Sequence, residues 1–124
     1  MDKETCVIYI GQCFTLEWYY DIKGFSQAYE YFISITADQR RKFLILVKRM
    51  GDFGKISDKT KFRNEEDKIF EFKPQPDRYL CFFIKGKKII VTNAFRKKTD
   101  KLPKEEKMRS LKYRQDYLDR NREE

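Results

Sequence analysis

Ile69-Phe70-Glu71-Phe72-Lys73, Arg78-Tyr79-Leu80-Cys81-Phe82-Phe83-Ile84 and Ile89-Ile90-Val91-Thr92-Asn93-Ala94-Phe95 follow one another closely, and the last run passes directly into Arg96-Lys97-Lys98. A short proline-containing turn separates the first two runs, and Lys85-Gly86-Lys87-Lys88 separates the second from the third. Short runs rich in aromatic and β-branched residues, bounded by turn chemistry, predict strands. The stretch therefore predicts a compact, mainly antiparallel sheet. A rigid sheet whose last strand ends in three consecutive cations can hold a phosphate chain, so the ligand it implies is a polyanion, with RNA the first choice.

Upstream, Cys6-Val7-Ile8-Tyr9-Ile10 and Phe14-Thr15-Leu16-Glu17-Trp18-Tyr19-Tyr20 have strand character, the second more strongly, with Gly11-Gln12 as the turn between them. Asp21 to Gly24 reads as a loop. Ser26 predicts the N-cap of a short helix reaching about Ile33. Thr36-Ala37-Asp38-Gln39 has capping-box spacing and opens a second helix to about Met50, with Phe43, Leu46, Val47 and Met50 on one face. Gly51 and Gly54 supply the stop. Lys55 to Asp67 is polar and irregular and predicts a loop or one extra turn. Pro103 suits the first position of a basic C-terminal helix at about 103–120, with Met108, Leu111, Gln115 and Leu118 as its apolar seam and a frayed end from Arg120 to Glu124. The expected order is β-α-α-β-β-β-α. This is an α+β fold with a helical hairpin packed on a small sheet, and the whole chain, residues 1–124, forms one domain.

Composition narrows the function classes. The net charge is +8, and its distribution matters more than its total. Met1 to Ile84 holds 14 basic and 13 acidic residues, whereas Lys85 to Arg122 holds 14 basic and 5 acidic. The basic excess thus belongs to the last third, where it favours nucleic acid or an acidic partner. No apolar run approaches the ~20 residues of a membrane span. Met1-Asp2-Lys3-Glu4 lacks the basic start of a secretory signal. Three cysteines, Cys6, Cys13 and Cys81, form no regular pattern, which predicts reduced thiols in a cytoplasmic protein. There is no histidine, so no Cys/His zinc site can be assembled, and no metal or cofactor is expected.

Order and residues together resemble the RelE/ParE toxin superfamily, especially its HigB-like, phage-derived branch. The resemblance runs from about Phe14 to Tyr117. It is carried by Ile69–Lys73, by Arg78–Phe83, by Ile89–Lys98 and by the helix opening at Pro103. It implies a small cytoplasmic toxin paired with a cognate antitoxin of helix-turn-helix type. The implied activity is metal-independent cleavage of mRNA on the ribosome. ParE relatives instead poison DNA gyrase without a nuclease site, and a phage protein retaining only nucleic-acid binding is a further alternative.

Cleavage by the RNA's own 2′-OH needs a base, an acid and cations to stabilise the phosphorane. Without histidine the candidates are Lys, Arg, Tyr and carboxylates. Arg78 matches the family's strand arginine, and its planar fork suits phosphate oxygens. Lys73 stands where the family carries another arginine, and Lys97 and Lys98 match its terminal lysine pair. These four form the expected catalytic set. Arg96, Lys85, Lys87, Lys88 and Tyr79 are the expected nucleic-acid contacts, with Tyr79 weighed as a stacking platform against core packing. Glu71 shares a strand face with Lys73 and is read as its ion-pair partner before a general base. Asn93 replaces a family histidine, and Tyr113 and Tyr117 lie on the last helix. No general acid emerges from these residues.

Overall fold

The computed structural model describes residues 6–121, so Met1–Glu4 and the expected frayed end beyond Asn121 lie outside the described residues. Six strands form one sheet: β1 (Val7–Ile10), β2 (Thr15–Trp18), β3 (Phe62–Asn64), β4 (Phe70–Phe72), β5 (Asp77–Ile84) and β6 (Lys88–Arg96). Three helices accompany them: α1 (Gln27–Ser34), α2 (Ala37–Phe53) and α3 (Lys104–Asn121). The spatial order is β1-β2-β6-β5-β4-β3, with β2 parallel to β6 and every other pair antiparallel. The architecture is α+β and RelE-like. None of the described helices is long and apolar enough to cross a membrane.

β5 and β6 lie at the centre and are covered on both faces, which explains why they are written as nearly unbroken apolar runs. Tyr79, Cys81, Ile89, Val91 and Ala94 face the α1–α2 hairpin, where they meet Trp18, Phe43, Leu46, Val47 and Met50. Leu80, Phe82 and Ile90 face the opposite side and pack with Tyr19, Ile69, Leu111, Tyr113 and Tyr117. α3 covers this second face.

Local chemistry fixes the helices as expected. The Ser26 side chain accepts from the Tyr29 N–H at 3.2 Å, and Thr36 and Gln39 complete a reciprocal capping box. The Gln27 side chain donates to the Ala94 carbonyl (2.8 Å) and accepts from its N–H (2.7 Å), which bolts α1 to β6. α2 runs past Gly51 and ends at Gly54, whose φ of 82° supplies the left-handed cap. Gly51 therefore has another role. Its carbonyl accepts from Cys13 N (2.7 Å) and Phe14 N (2.9 Å), so the β1–β2 turn sits directly on the helix backbone.

A Cβ on Gly11 would lie 2.2 Å from the Gly51 carbonyl carbon, a contact that only backbone movement can relieve. Gly11→Ala is therefore expected to cost about 1–3 kcal/mol through overpacking and to lower Tm by roughly 5–15 °C. Thermal unfolding followed by circular dichroism checks this.

Two expectations are corrected. The Lys55–Asp67 segment contains a short edge strand, β3, paired with β4 from Phe62↔Phe72 to Asn64↔Phe70. The inward face of α3 is centred on Ser110; of the expected seam Leu111 packs on the sheet, whereas Met108 is 68% exposed and Gln115 is exposed. The reason is a bulge in β6. The register slips between Leu80↔Asn93 and Cys81↔Val91, and Thr92 and Asn93 then both address α3. The Thr92 hydroxyl lies 2.7 Å from that of Ser110, and Asn93 donates to the Glu106 carbonyl (3.1 Å) and carboxylate (3.0 Å). A polar strip on the sheet selects a polar strip on the helix.

Candidate functional site

β4, β5 and the end of β6 present alternate residues to the α3 side, and that alternation gathers the charges. Glu71 on β4 is paired across the ladder with Leu80, two residues from Arg78 and on the same face of β5. Phe95 lies opposite Arg78 and packs beneath α3, and Lys97 follows Phe95 by two residues on that same side. Lys73 follows Glu71 by two in the same way.

The centre of this cluster is Asp100, in the loop between β6 and α3. Its carboxylate accepts from the Lys97 ammonium at 2.8 Å and is almost fully exposed, at 97%. The bound Lys97 holds the Asp100 carboxyl below its usual range, and the charges of Arg78 and Lys73 add to the effect. Of the predicted catalytic residues, Lys97 touches this exposed anionic group, and Arg78 and Lys73 act on it through their charge. Beside it lies a hollow of about 300 Å³ walled by Arg63, Glu65, Asp100, Lys101, Leu102, Lys104 and Lys107.

Arg78 is buried. One terminal nitrogen donates to the Asp77 carbonyl at 3.0 Å, and its Nε is 3.7 Å from Glu71 Oε2, beyond hydrogen-bond range. Glu71 thus contacts Arg78 and is not ion-paired to Lys73 as the spacing suggested. It is 4% exposed, and burial pushes its carboxyl up to about 8, helped by a hydrogen bond and charge repulsion from Glu65. Lys73 and Arg78 oppose this shift, yet the 3.7 Å gap and the second carboxyl leave the upward direction dominant. At neutral pH the buried Glu71 carboxyl consequently favours its protonated form. This carboxyl pair escaped the sequence reading because Glu65 lies in the polar segment where no strand was expected.

Because Glu71 is harder to ionise in the fold than in the unfolded chain, the folded state binds more protons between its ordinary value of 4.5 and about 8. Its contribution is complete below pH 4.5 and is lost as pH rises through this window, on the order of a few kcal/mol in all. Glu71→Gln should flatten that slope and leave the protein more stable than the wild type at pH 8. Urea denaturation at successive pH values reads the difference, and an unchanged slope would contradict the assignment.

The other predicted residues separate from this centre. Arg96 is opposite Asp77 and leaves on the α1–α2 side, within electrostatic reach of Tyr31, while Lys98 is exposed in the following loop. Lys85, Lys87 and Lys88 form the far turn of the β5–β6 hairpin. Arg78 and Lys85 are seven residues apart along the strand, or about 23 Å, so the two groups cannot grip one phosphate.

Tyr79 is corrected outright as a base platform. It is fully buried, and its ring stacks on Phe43 with centroids 3.7 Å apart, so neither face is open to a base. Tyr113 and Tyr117 pack on Tyr19 and Phe82 beneath α3. Asn93, in the place of the expected histidine, fastens β6 to Glu106.

A small RelE-like α+β domain with a cation cluster at the mouth of its central hairpin is the class that fold and site define. The family model of phage-derived Gp49-like proteins (DUF891) matches residues 30–114, and the chain belongs to that family. The match runs from Glu30, within α1, to Arg114 in α3 and includes every residue of the cluster. Comparison with curated proteins gave no match.

Proposed function

We propose that this protein is a HigB-like toxin of the RelE/ParE superfamily, a metal-independent endoribonuclease that cuts mRNA on the ribosome and is neutralised by a cognate antitoxin. Membership of the Gp49-like family and the RelE-like fold fit this reading. The observation that carries it is the contact of Lys97 with the exposed Asp100 carboxylate, on which the charges of Arg78 and Lys73 also act. An exposed carboxylate so placed occupies the position a phosphate oxygen would take, and an incoming backbone phosphate displaces it.

In this reading the RNA 2′-oxygen attacks the adjacent phosphorus and the bond to the 5′-oxygen breaks, leaving a 2′,3′-cyclic phosphate and a 5′-hydroxyl. The three cations stabilise the additional negative charge on the phosphorane, commonly the largest catalytic contribution. The Glu65–Glu71 pair handles the protons. One carboxyl takes the 2′-OH proton, the other supplies a proton to the 5′-oxygen, and transfer between the two restores the pair.

Sequencing of transcript 5′ ends after a brief pulse of expression tests the proposal. New ends within coding regions are expected in translated messages. Intact transcripts accompanied by broken DNA would replace it with the ParE-like reading, inhibition of gyrase by docking alone.

A further inference from the structure

A second groove, of about 730 Å³, opens between the C-terminal half of α3 and the far turn of the β5–β6 hairpin. Lys68, Lys85, Lys88 and Arg114 stand around it with Ile84 and Tyr117. Lys88 is committed to Glu17 at 3.1 Å, and Asp119, the acid on the wall, accepts from Gln115 at 2.8 Å. Lys68, Lys85 and Arg114 have no ion-pair partner among the described residues.

Arg114 is the most telling of these. Its guanidinium carbon lies 5.8 Å from the centroid of the Phe82 ring, while its buried Nε has no hydrogen-bond partner. An arginine fixed against an aromatic ring with donors unused is suited to receive an anion. Lys68 is held by backbone geometry, as the last of three left-handed residues, Glu66, Asp67 and Lys68, in the β3–β4 turn.

The groove and the first hollow lie along the same flank of α3. Lys104, Lys107, Leu111, Arg114 and Leu118 recur at alternating spacings of three and four and so share one flank of α3. Lys107 binds Asp67 at 2.8 Å and ties the β3–β4 turn to this flank. From Lys104 to Arg114 the helix advances about 15 Å. A mononucleotide cannot span that distance, whereas a strand can.

We propose that this groove is a second anion site that binds the phosphate backbone of single-stranded RNA, with the strand running along α3 toward the Arg78 cluster. The assignment rests on the RNA reading of that cluster for the identity of the strand. Single-stranded RNA is favoured because the unpaired cations line one narrow groove between the helix and the hairpin turn, which can track one backbone and not the two of a duplex.

The test uses the full chain carrying Arg78→Ala, so that RNA stays intact, and fluorescence anisotropy of a labelled oligouridylate titrated over a range of KCl. Adding Lys68→Gln and Arg114→Gln should weaken binding about tenfold and reduce the log–log salt slope by roughly 1.4, about 0.7 per lost contact. Lys112→Gln, exposed on another flank, should change neither. Should Arg114→Gln impair folding, the exposed pair Lys68→Gln and Lys85→Gln carries the same expectation. Unaltered affinity and slope would overturn the site. Equal binding of duplex RNA would overturn the single-strand assignment, and equal competition by polyglutamate would replace RNA with an acidic protein partner. Groove-dependent binding by a protein whose wild type leaves RNA uncut would instead refute the ribonuclease reading and leave the groove standing.

Discussion

On the ribonuclease proposal, Arg78→Ala is expected to lower RNA cleavage by about 10²–10³-fold, the usual consequence of removing one preorganised group that stabilises transition-state charge. The loss falls on kcat, because phosphorane charge exceeds ground-state charge. The protein should remain folded despite the burial of Arg78. Its neighbour Glu71 holds a proton at neutral pH, so removing the guanidinium leaves no bare buried carboxylate, and the lost hydrogen bond is the single contact to the Asp77 carbonyl. Arg78→Lys is the sharper variant. It keeps the charge and loses the planar fork, and should recover only part of the rate. Single-turnover cleavage beside a thermal melt separates the two effects. Loss of activity with loss of fold would make Arg78 structural.

The largest expected effect on stability comes from Phe43→Ala, at about 3–5 kcal/mol. Phe43 is fully buried where both layers of the first core meet. It stacks on Tyr79 and makes edge or tilted contacts with Trp18, Phe32 and Phe72. Its removal opens a cavity beside a Tyr79 hydroxyl that already lacks a hydrogen-bond partner. Against a typical total of about 5–15 kcal/mol, such a loss would leave much of the population unfolded at moderate urea. Phe53→Ala provides the contrast, since Phe53 is 75% exposed and its truncation should stay within about 0.5 kcal/mol. A similar midpoint for both variants would mean that the aromatic layer is not the core.

These two residues also mark what could be read in advance. Phe43 was legible because helical periodicity places it with Leu46, Val47 and Met50, and the Thr36–Gln39 box sets the start of that helix. The strands β5 and β6 were legible from their apolar runs. Lys73, Arg78 and Lys97 were nominated through family resemblance, and strand alternation then accounts for their lying on one face of the sheet.

What was missed depends on long-range contacts. β3 offers only Phe62 as an apolar signal, so its strand character comes from pairing with β4. Gly51 reads locally as a stop, but Gly11 and the β1–β2 turn pack against its backbone. The Thr92–Asn93 bulge shifts the register, and with it the helical face that α3 must present. Tyr79 sits in an alternating strand whose two faces are both covered, so alternation could not distinguish core from solvent.

The most direct test of the central claim is the end chemistry of the cut RNA. The purified protein is incubated with translating ribosomes and labelled mRNA, and the ends of the fragments are mapped. The account predicts fragments ending in 2′,3′-cyclic phosphate and beginning with 5′-hydroxyl, lost when the nucleotide 5′ to the cut carries a 2′-deoxyribose and lost with Arg78→Ala. Fragments with 5′-phosphates, or cleavage undiminished in Arg78→Ala, would show that Lys73, Arg78 and Lys97 do not form the reaction centre.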